Sequence, residues 1–269
     1  MSPFLSVVIP AYNEAVNIRS GSLNSVVDYL SNQLYDYEVI VIDDGSTDDT
    51  AALAEAFAAG QPSFRVIRNP HRGKAFTVAT GLRAASGDIV LFTDMDQATP
   101  IQEMAKLLPW YEHGYDVVIG SRGTHRRNAP LWRKFMSRSQ ILLRNLILGF
   151  RDITDTQCGF KSFRGSAILP ILDHLYLYST SKPADVQGAT VTAGFDVELL
   201  FVAQRLGYRV KEVAVEWDYR HSRRVNMLRD SLRGVRELIE IRAADLKGAY
   251  RQHGHTRPGH SSSGAIHKL

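Results

Sequence analysis

The chain has a single cysteine, Cys158, so it can close no disulfide within itself, and a reducing cytoplasm is the expected compartment. No apolar run approaches the roughly 20 residues that cross a bilayer. The opening, Met1-Ser2-Pro3-Phe4-Leu5, lacks the basic end and apolar core of a secretion signal, so a soluble or peripheral protein is expected. No Gly-x-Gly-x-x-Gly follows the first apolar run, which disfavours a nicotinamide-binding domain. Gly73-Lys74 lacks the upstream glycine spacing of a P-loop. From Val117 to Arg151 there is no acid at all, yet Arg122, Arg126, Arg127, Arg133, Lys134, Arg138, Arg144 and Arg151 fall there. A solvated face usually interleaves acids. This run, with a second basic stretch from Arg220 to Arg251, therefore suits phosphates, nucleic acid or an anionic membrane. The aromatic platforms and base-reading elements of a nucleic-acid binder are not evident, so no nucleic-acid partner is expected.

What is present is enough for a full core: 269 residues with 44% hydrophobic content and a net charge of only +4. Short apolar runs alternate with helical stretches. Strands are expected at Leu5–Ile9, Glu38–Ile42, Phe64–Ile67, Ile89–Thr93 and Asp116–Ile119. Helices are expected from Asn13 to about Gln33 (core face Val16, Leu23, Val26, Val27, Leu30), and over Asp49–Ala59, Gly73–Ala84 and Pro100–His113. Such alternation predicts a parallel sheet covered on both faces, with ligands at the carboxyl ends of its strands. In the second half, Trp132–Phe150 is amphipathic, with Leu142, Leu143, Leu146 and Ile147 against Arg133, Lys134, Arg138 and Arg144. It suits either a membrane interface or the sheet. Ser162-Phe163 suggests a short strand, Phe195–Arg205 a helix, and Tyr208–Trp217 a half-buried strand. Val225–Tyr250 suggests a long helix with Leu228, Leu232, Val235, Ile239 and Leu246 on one side and Arg229, Arg233 and Arg236 on the other. The Gly-, Ser- and His-rich tail, 252–269, is expected to be disordered.

The strand Ile89–Thr93 runs into Asp94 and Asp96. In extended backbone the i, i+2 spacing turns both carboxylates to one side. At about 5–6 Å they would repel by roughly 3 kcal/mol. A cation between them relieves that, and hard oxygen donors suit Mg²⁺ or Mn²⁺. The competing reading is a solvated turn that caps the helix at Pro100.

Five segments stand in sequence order: Val8-Ile9-Pro10-Ala11-Tyr12-Asn13-Glu14, Val41-Ile42-Asp43-Asp44-Gly45-Ser46-Thr47-Asp48, Arg72-Gly73-Lys74, Thr93-Asp94-Met95-Asp96 and Gly120-Ser121-Arg122. Together they resemble glycosyltransferase family 2, inverting enzymes of the GT-A fold. Asp155-Thr156-Gln157-Cys158-Gly159-Phe160-Lys161 and Phe195-Asp196-Val197-Glu198-Leu199-Leu200 resemble its branch that glycosylates polyprenyl phosphates. Dolichyl-phosphate β-glucosyltransferases are the nearest group and mannose synthases the next. The likeness spans roughly residues 4 to 240.

The resemblance implies an α/β, GT-A (Rossmann-like) mostly parallel sheet with helices on both faces and C-terminal amphipathic helices. It implies one domain over 1–251, with 1–122 binding the nucleotide sugar and 123–251 the acceptor. Pro10, Tyr12, Glu14, Ile42, Asp43, Asp44, Lys74, Asp94, Met95, Asp96 and Gln97 would bind a nucleotide-diphosphate sugar, UDP-glucose or GDP-mannose. Asp94 and Asp96 would hold Mg²⁺ or Mn²⁺, and with Asp155 and Asp196 form the catalytic set. Arg122, Arg133, Ser137, Ser222 and Arg223 would take the acceptor phosphate. Against these stand plainer roles: helix capping for Asp43 and Asp196, surface charge for Lys74 and packing for Tyr12. Relatives often carry Gly-Ser-Lys where this chain has His221-Ser222-Arg223-Arg224, and Arg changes the phosphate geometry. They also often carry membrane helices, so this chain is expected to reach polyprenyl phosphate peripherally, at the cytoplasmic membrane face, or through a membrane-protein partner. A saccharide or protein hydroxyl acceptor, and a catalytically dead membrane scaffold, are the other readings weighed.

Overall fold

A computed structural model describes residues 2–123, 141–150, 152–179, 193–218 and 227–250. Among them, seven strands form one sheet: β1 (Leu5–Ala11), β2 (Tyr37–Asp43), β3 (Phe64–Arg68), β4 (Ile89–Thr93), β5 (Val117–Ser121), β6 (Phe160–Arg164) and β7 (Val210–Ala214). Their order is β3-β2-β1-β4-β6-β5-β7. All neighbours run parallel except β6, which is antiparallel to both β4 and β5.

Alternation along the central strands makes two cores. Val8, Ile40, Ile42, Val90 and Phe92 face one side. There they meet α4 (Lys74–Ala84), α8 (Gly165–Asp173), α9 (Ala193–Arg205) and α10 (Met227–Leu246). Leu5, Val7, Ile9, Val39, Val41, Ile89 and Leu91 face the other. Against them pack α1 (Ala15–Arg19), α2 (Ser22–Leu30), α3 (Thr50–Ala59), a 3₁₀ turn at Ile101–Glu103, α5 (Met104–Leu107) and α6 (Pro109–Glu112). Strands apolar on both faces are the signature of a covered parallel sheet.

Several expectations are corrected. The long first helix is two, because Gly21 sits at φ +87°, a left-handed conformation that breaks the helical run. The break rotates the face: Val16 is exposed, and Ile18 is buried in its place. The stretch Pro100–His113 is a 3₁₀ turn and two single-turn helices, since Pro109 starts a new one. Asp94–Asp96 follows the end of β4 in a turn, so extended backbone is not what sets the direction of its two carboxylates.

Of Trp132–Phe150, residues 141–148 are seen as helix α7, and its face is inverted. Arg144 and Leu148 are buried, whereas Leu142 and Leu146 are 71% and 80% exposed. In α10 the buried side is Leu238, Ile241 and Ala244, and Ile239 and Leu246 point outward. Leu228, Arg229, Leu232 and Arg233 have side chains outside the described residues, as does the tail 252–269.

The reversed direction of β6 shapes the rim of the sheet. Because it runs against its neighbours (Thr93 pairs with Phe160, Ile89 with Arg164), it is the loop before it, residues 155–159, that reaches the edge formed by the carboxyl ends of β1, β2, β4 and β5.

Candidate active site

Hydrogen bonds lace the loops of that rim together. Asn13 holds a left-handed φ of +55° that Asn tolerates. Its amide donates to Ser46 Oγ at 3.0 Å and its side-chain oxygen accepts from Thr47 N at 2.9 Å. Glu14 N donates to Thr50 Oγ1 at 2.7 Å. The first two loops are thereby one unit. Tyr12 stacks on His71, with ring centroids 4.1 Å apart and 12° between planes.

Asp43 and Asp44 are both buried. Asp43 accepts from Ser46 N. Asp44 Oδ1 accepts from Arg72 N at 3.0 Å, while Oδ2 accepts from Gly73 N and meets His71 Nδ1, both at 2.9 Å. Asp44 thus clamps the third loop to the second. His71, which the sequence did not single out, is the aromatic partner that clamp positions.

The next link is Lys74 at the start of α4, whose Nζ donates to Asp94 Oδ1 at 2.5 Å. Burial pulls the Lys74 ammonium pKa down, but Asp94, Asp196 and Asp96 together more than reverse this, and its pKa is raised. It stays charged. Gly159 borders Asp94 on the far side: a Cβ there would lie 1.8 Å from Asp94 Oδ2, so any side chain at 159 requires that carboxylate to move. Asp96 Oδ1 accepts from Ala98 N at 3.0 Å. Gln97 is held at φ +50°, and its amide nitrogen donates to Asp94 O at 2.9 Å. Its Oε1 is buried with no hydrogen-bond partner. A buried orphan acceptor beside strained backbone is a feature expected of a ligand site.

On the other flank, Arg122 grips Asp155 with a two-pronged fork, Nε to Oδ2 at 2.7 Å and Nη2 to Oδ1 at 2.8 Å. The guanidinium carbon also lies 5.6 Å from the Trp217 ring centre. Burial alone pushes the Asp155 carboxyl up, but the Arg122 hydrogen bonds and charge outweigh it, and the net shift is downward. A carboxylate so held is a poor proton acceptor. Glu212 of β7 accepts from Thr154 N and Asp155 N, which fixes this loop to the sheet.

Lys161, a lysine in a central strand, is fully buried. Its Nζ donates to Cys158 O at 2.5 Å and to Asp196 Oδ1 at 2.7 Å. Asp196 on α9 is therefore tied to the rim by an ion pair and does more than cap its helix. The signal in the sequence was a single charge inside Phe160-Lys161-Ser162-Phe163. Burial raises the Cys158 thiol pKa, leaving it inert.

Of the residues expected here, Tyr12, Asp44, Lys74, Asp94, Arg122, Asp155 and Asp196 enter these contacts, and Pro10, Asp43, Asp96 and Gln97 line the same loops. Ile42 and Met95 turn their side chains into the two cores, so only their backbone faces the rim. Arg133, Ser137, Ser222 and Arg223 lie outside the described residues.

For a divalent cation the donors would be Asp96, whose second carboxylate oxygen has no partner among the described residues, and Asp94, which shares its charge with Lys74. No group of three His, Cys, Asp or Glu side chains among the described residues could hold a metal alone. The set fits an ion such as Mg²⁺ that takes one or two carboxylates and completes its shell with substrate phosphates.

Comparison with known proteins shows what the chain resembles. A model of the family described as Glycosyl transferase family 2 matches residues 6–169. The chain is 31% identical to the dolichyl-phosphate beta-glucosyltransferase of Saccharomyces cerevisiae, over 92% of this chain and 77% of that protein. It is 30% identical to the Mus musculus enzyme of the same description, with the same coverage. Among solved structures it is similar to glucosyl-3-phosphoglycerate synthase from Mycobacterium tuberculosis in complex with UDP (TM-score 0.61, 25% identity, 90% of this chain and 80% of that one). The mannosyltransferase PcManGT from Pyrobaculum calidifontis, in complex with GDP-Man and Mn²⁺, shares the fold (TM-score 0.53, 19% identity, 95% and 77%).

Proposed function

Because the chain belongs to glycosyltransferase family 2, we propose that it transfers glucose from a nucleotide-diphosphate sugar to a dolichyl-type polyprenyl phosphate, with inversion. The observation that carries this reading is the single laced rim on which Tyr12, Asp44, Lys74, Asp94 and Asp96 meet Arg122, Asp155 and Asp196. The relatives, alike over 92% of the chain, supply the donor sugar and the acceptor class.

In this reading residues 1–122 hold the nucleotide sugar and 123–251 the acceptor. The base and ribose lie against Tyr12, Glu14, Asp43 and Asp44. Asp44 acts there indirectly, since its oxygens already fix His71, Arg72 and Gly73. Asp96, with Asp94, would hold Mg²⁺ or Mn²⁺ against the diphosphate. A bound divalent ion acts there as a Lewis acid on the leaving group, an effect of several kcal/mol. Gln97, in the same loop, would line the donor site.

The acceptor phosphate oxygen then attacks the anomeric carbon on the face opposite the diphosphate. The new carbon–oxygen bond forms as the bond to the diphosphate breaks, and an α-linked donor gives a β-linked product. No general base is needed, because a phosphate monoester with a second pKa of about 6 is already mostly ionised near neutrality. This agrees with an Asp155 committed to Arg122: it aims the guanidinium at the acceptor phosphate rather than taking a proton. No helix among the described residues is long and apolar enough to cross a membrane. The enzyme works peripherally, at the cytoplasmic face.

The test is transfer from labelled UDP-glucose and GDP-mannose to a short prenyl phosphate and to a panel of sugars. Glucose on the prenyl phosphate is expected; transfer only to sugar hydroxyls would defeat the reading. Asp96→Ala should abolish transfer with its melting temperature unchanged, as should excess chelator on the wild type.

A further inference from the structure

Three ion pairs stand along the rim, and they are not held alike. Arg122 meets Asp155 with two bonds, the side chains 23% and 15% exposed. Lys161 meets Asp196 and also bonds Cys158 O, with the pair's side chains 0% and 14% exposed. Lys74 meets Asp94 through one bond, 2.5 Å from Nζ to Oδ1, and these side chains are 33% and 38% exposed. An ammonium has three donors, so Lys74 keeps donors with no acceptor among the described residues. Of the three pairs, this is the one that a ligand can open. The backbone beneath the lysine is fixed, because Gly73 N donates to Asp44 Oδ2 at 2.9 Å and Thr77 Oγ1 donates to Gly73 O at 2.9 Å. Only the side chain has to move.

Asp94 has little else to offer a cation. Its Oδ1 carries Lys74, and its Oδ2 lies against Gly159, where a Cβ would come within 1.8 Å. A divalent ion drawn to Asp94 and Asp96 would approach an oxygen that already holds a full positive charge. Like charges that close repel strongly where water is partly excluded. A diphosphate changes the balance, since it brings negative charge and acceptor oxygens for the spare ammonium donors.

We propose that Lys74 is the resident counter-ion of Asp94: it keeps a free divalent ion off the site and moves to the diphosphate when the sugar nucleotide arrives. This rests on the donor reading above and adds an order to it, in which the ion is held with the nucleotide and not before it. In the empty enzyme the same lysine offsets the repulsion between Asp94 and Asp96, so the rim does not need a metal to keep its shape.

The experiment titrates the full chain with Mn²⁺ alone and follows the paramagnetic resonance signal of the unbound ion. Lys74→Met should bind Mn²⁺ at least about tenfold more tightly than the wild type, within the usual range of coupling between two sites. Lys74→Arg, which keeps the charge, should bind it as weakly as the wild type. The double variant Lys74→Met, Asp94→Asn should lose the gain. If Lys74→Met does not fold by circular dichroism, Lys74→Gln, which keeps a donor for Asp94 without the charge, decides by the same titration. Equilibrium dialysis of UDP and GDP in the presence of Mn²⁺, corrected for the ion the nucleotide itself chelates, forms the second arm. There Lys74→Met should bind the preferred nucleotide about tenfold more weakly. The idea is overturned if the uncharged variants bind Mn²⁺ alone no better than the wild type. It is equally overturned if Asp94→Asn leaves the gain intact, or if the nucleotide binds the uncharged variants as tightly as the wild type. A wild type that retains neither UDP nor GDP would remove the donor reading, whereas the titration with Mn²⁺ alone still decides whether Lys74 bars the ion.

Discussion

At the scale of single residues, the site depends on one close approach and one buried charge. Gly159 leaves room for the Asp94 carboxylate, which a Cβ at that position would push aside. Gly159→Ala must displace Asp94 from Lys74. A misplacement of about 1 Å at a reacting centre costs on the order of 10²-fold in rate. Steady-state assays should show that loss, with circular dichroism unchanged. Lys161→Met removes the cation but leaves Asp196 and the Cys158 carbonyl without their partner. Breaking a buried pair this way typically costs about 3–5 kcal/mol. The partial exposure of Asp196 puts the expectation at the low end, about 3 kcal/mol, read from the urea midpoint. Asp196→Asn, which keeps a hydrogen-bond acceptor for the lysine, should cost less.

At the scale of elements, β6 and α7 are decisive. β6 enters between β4 and β5 in the opposite direction and carries Lys161 and Ser162 into the core. Tyr111 donates to Ser162 Oγ at 2.7 Å, and Ser162 in turn donates to Val118 O at 3.0 Å, so no polar group is stranded there. α7 is held by its buried arginine together with Leu148. Arg144→Leu would orphan the Ile153 carbonyl and the Thr156 hydroxyl, each costing about 1–3 kcal/mol when buried. It should therefore destabilise the protein by about 2 kcal/mol in chemical unfolding, even though it adds an apolar side chain. Were α7 held by apolar packing alone, the same variant would be neutral or stabilising.

For the molecule as a whole, activity and fold should fail at different pH values. The acceptor phosphate protonates as pH falls through about 6, so transfer to a prenyl phosphate should decline there. Asp155, whose pKa is lowered in the fold, contributes stability that is fully present above its unfolded value of about 3.9. That contribution is lost only as pH falls through the lower, folded value. Between the two lies a window in which the enzyme is folded but slow. A pH–rate profile set beside a pH–melting curve should reveal it. A rate that tracks melting throughout would argue against a titrating acceptor.

How much of the molecule is legible in its sequence depends on which interactions are local. Alternating apolar runs and turn residues specified β1 to β5, the covered parallel sheet and the rim of acidic loops, because period and capping are properties of neighbouring residues. The ordered motifs from Val8 to Arg122 implied a sugar nucleotide only through their resemblance to glycosyltransferase family 2. What only the tertiary structure decided depends on contacts between distant segments. These are the reversed direction of β6, the role of Asp44 as a clamp on His71, and the pairing of Lys161 with Asp196 and of Arg122 with Asp155. The outward turn of Leu142 and Leu146 belongs with them. An amphipathic pattern reports that a helix has two faces, but which one is buried depends on whether the rest of the fold offers a partner for its arginine.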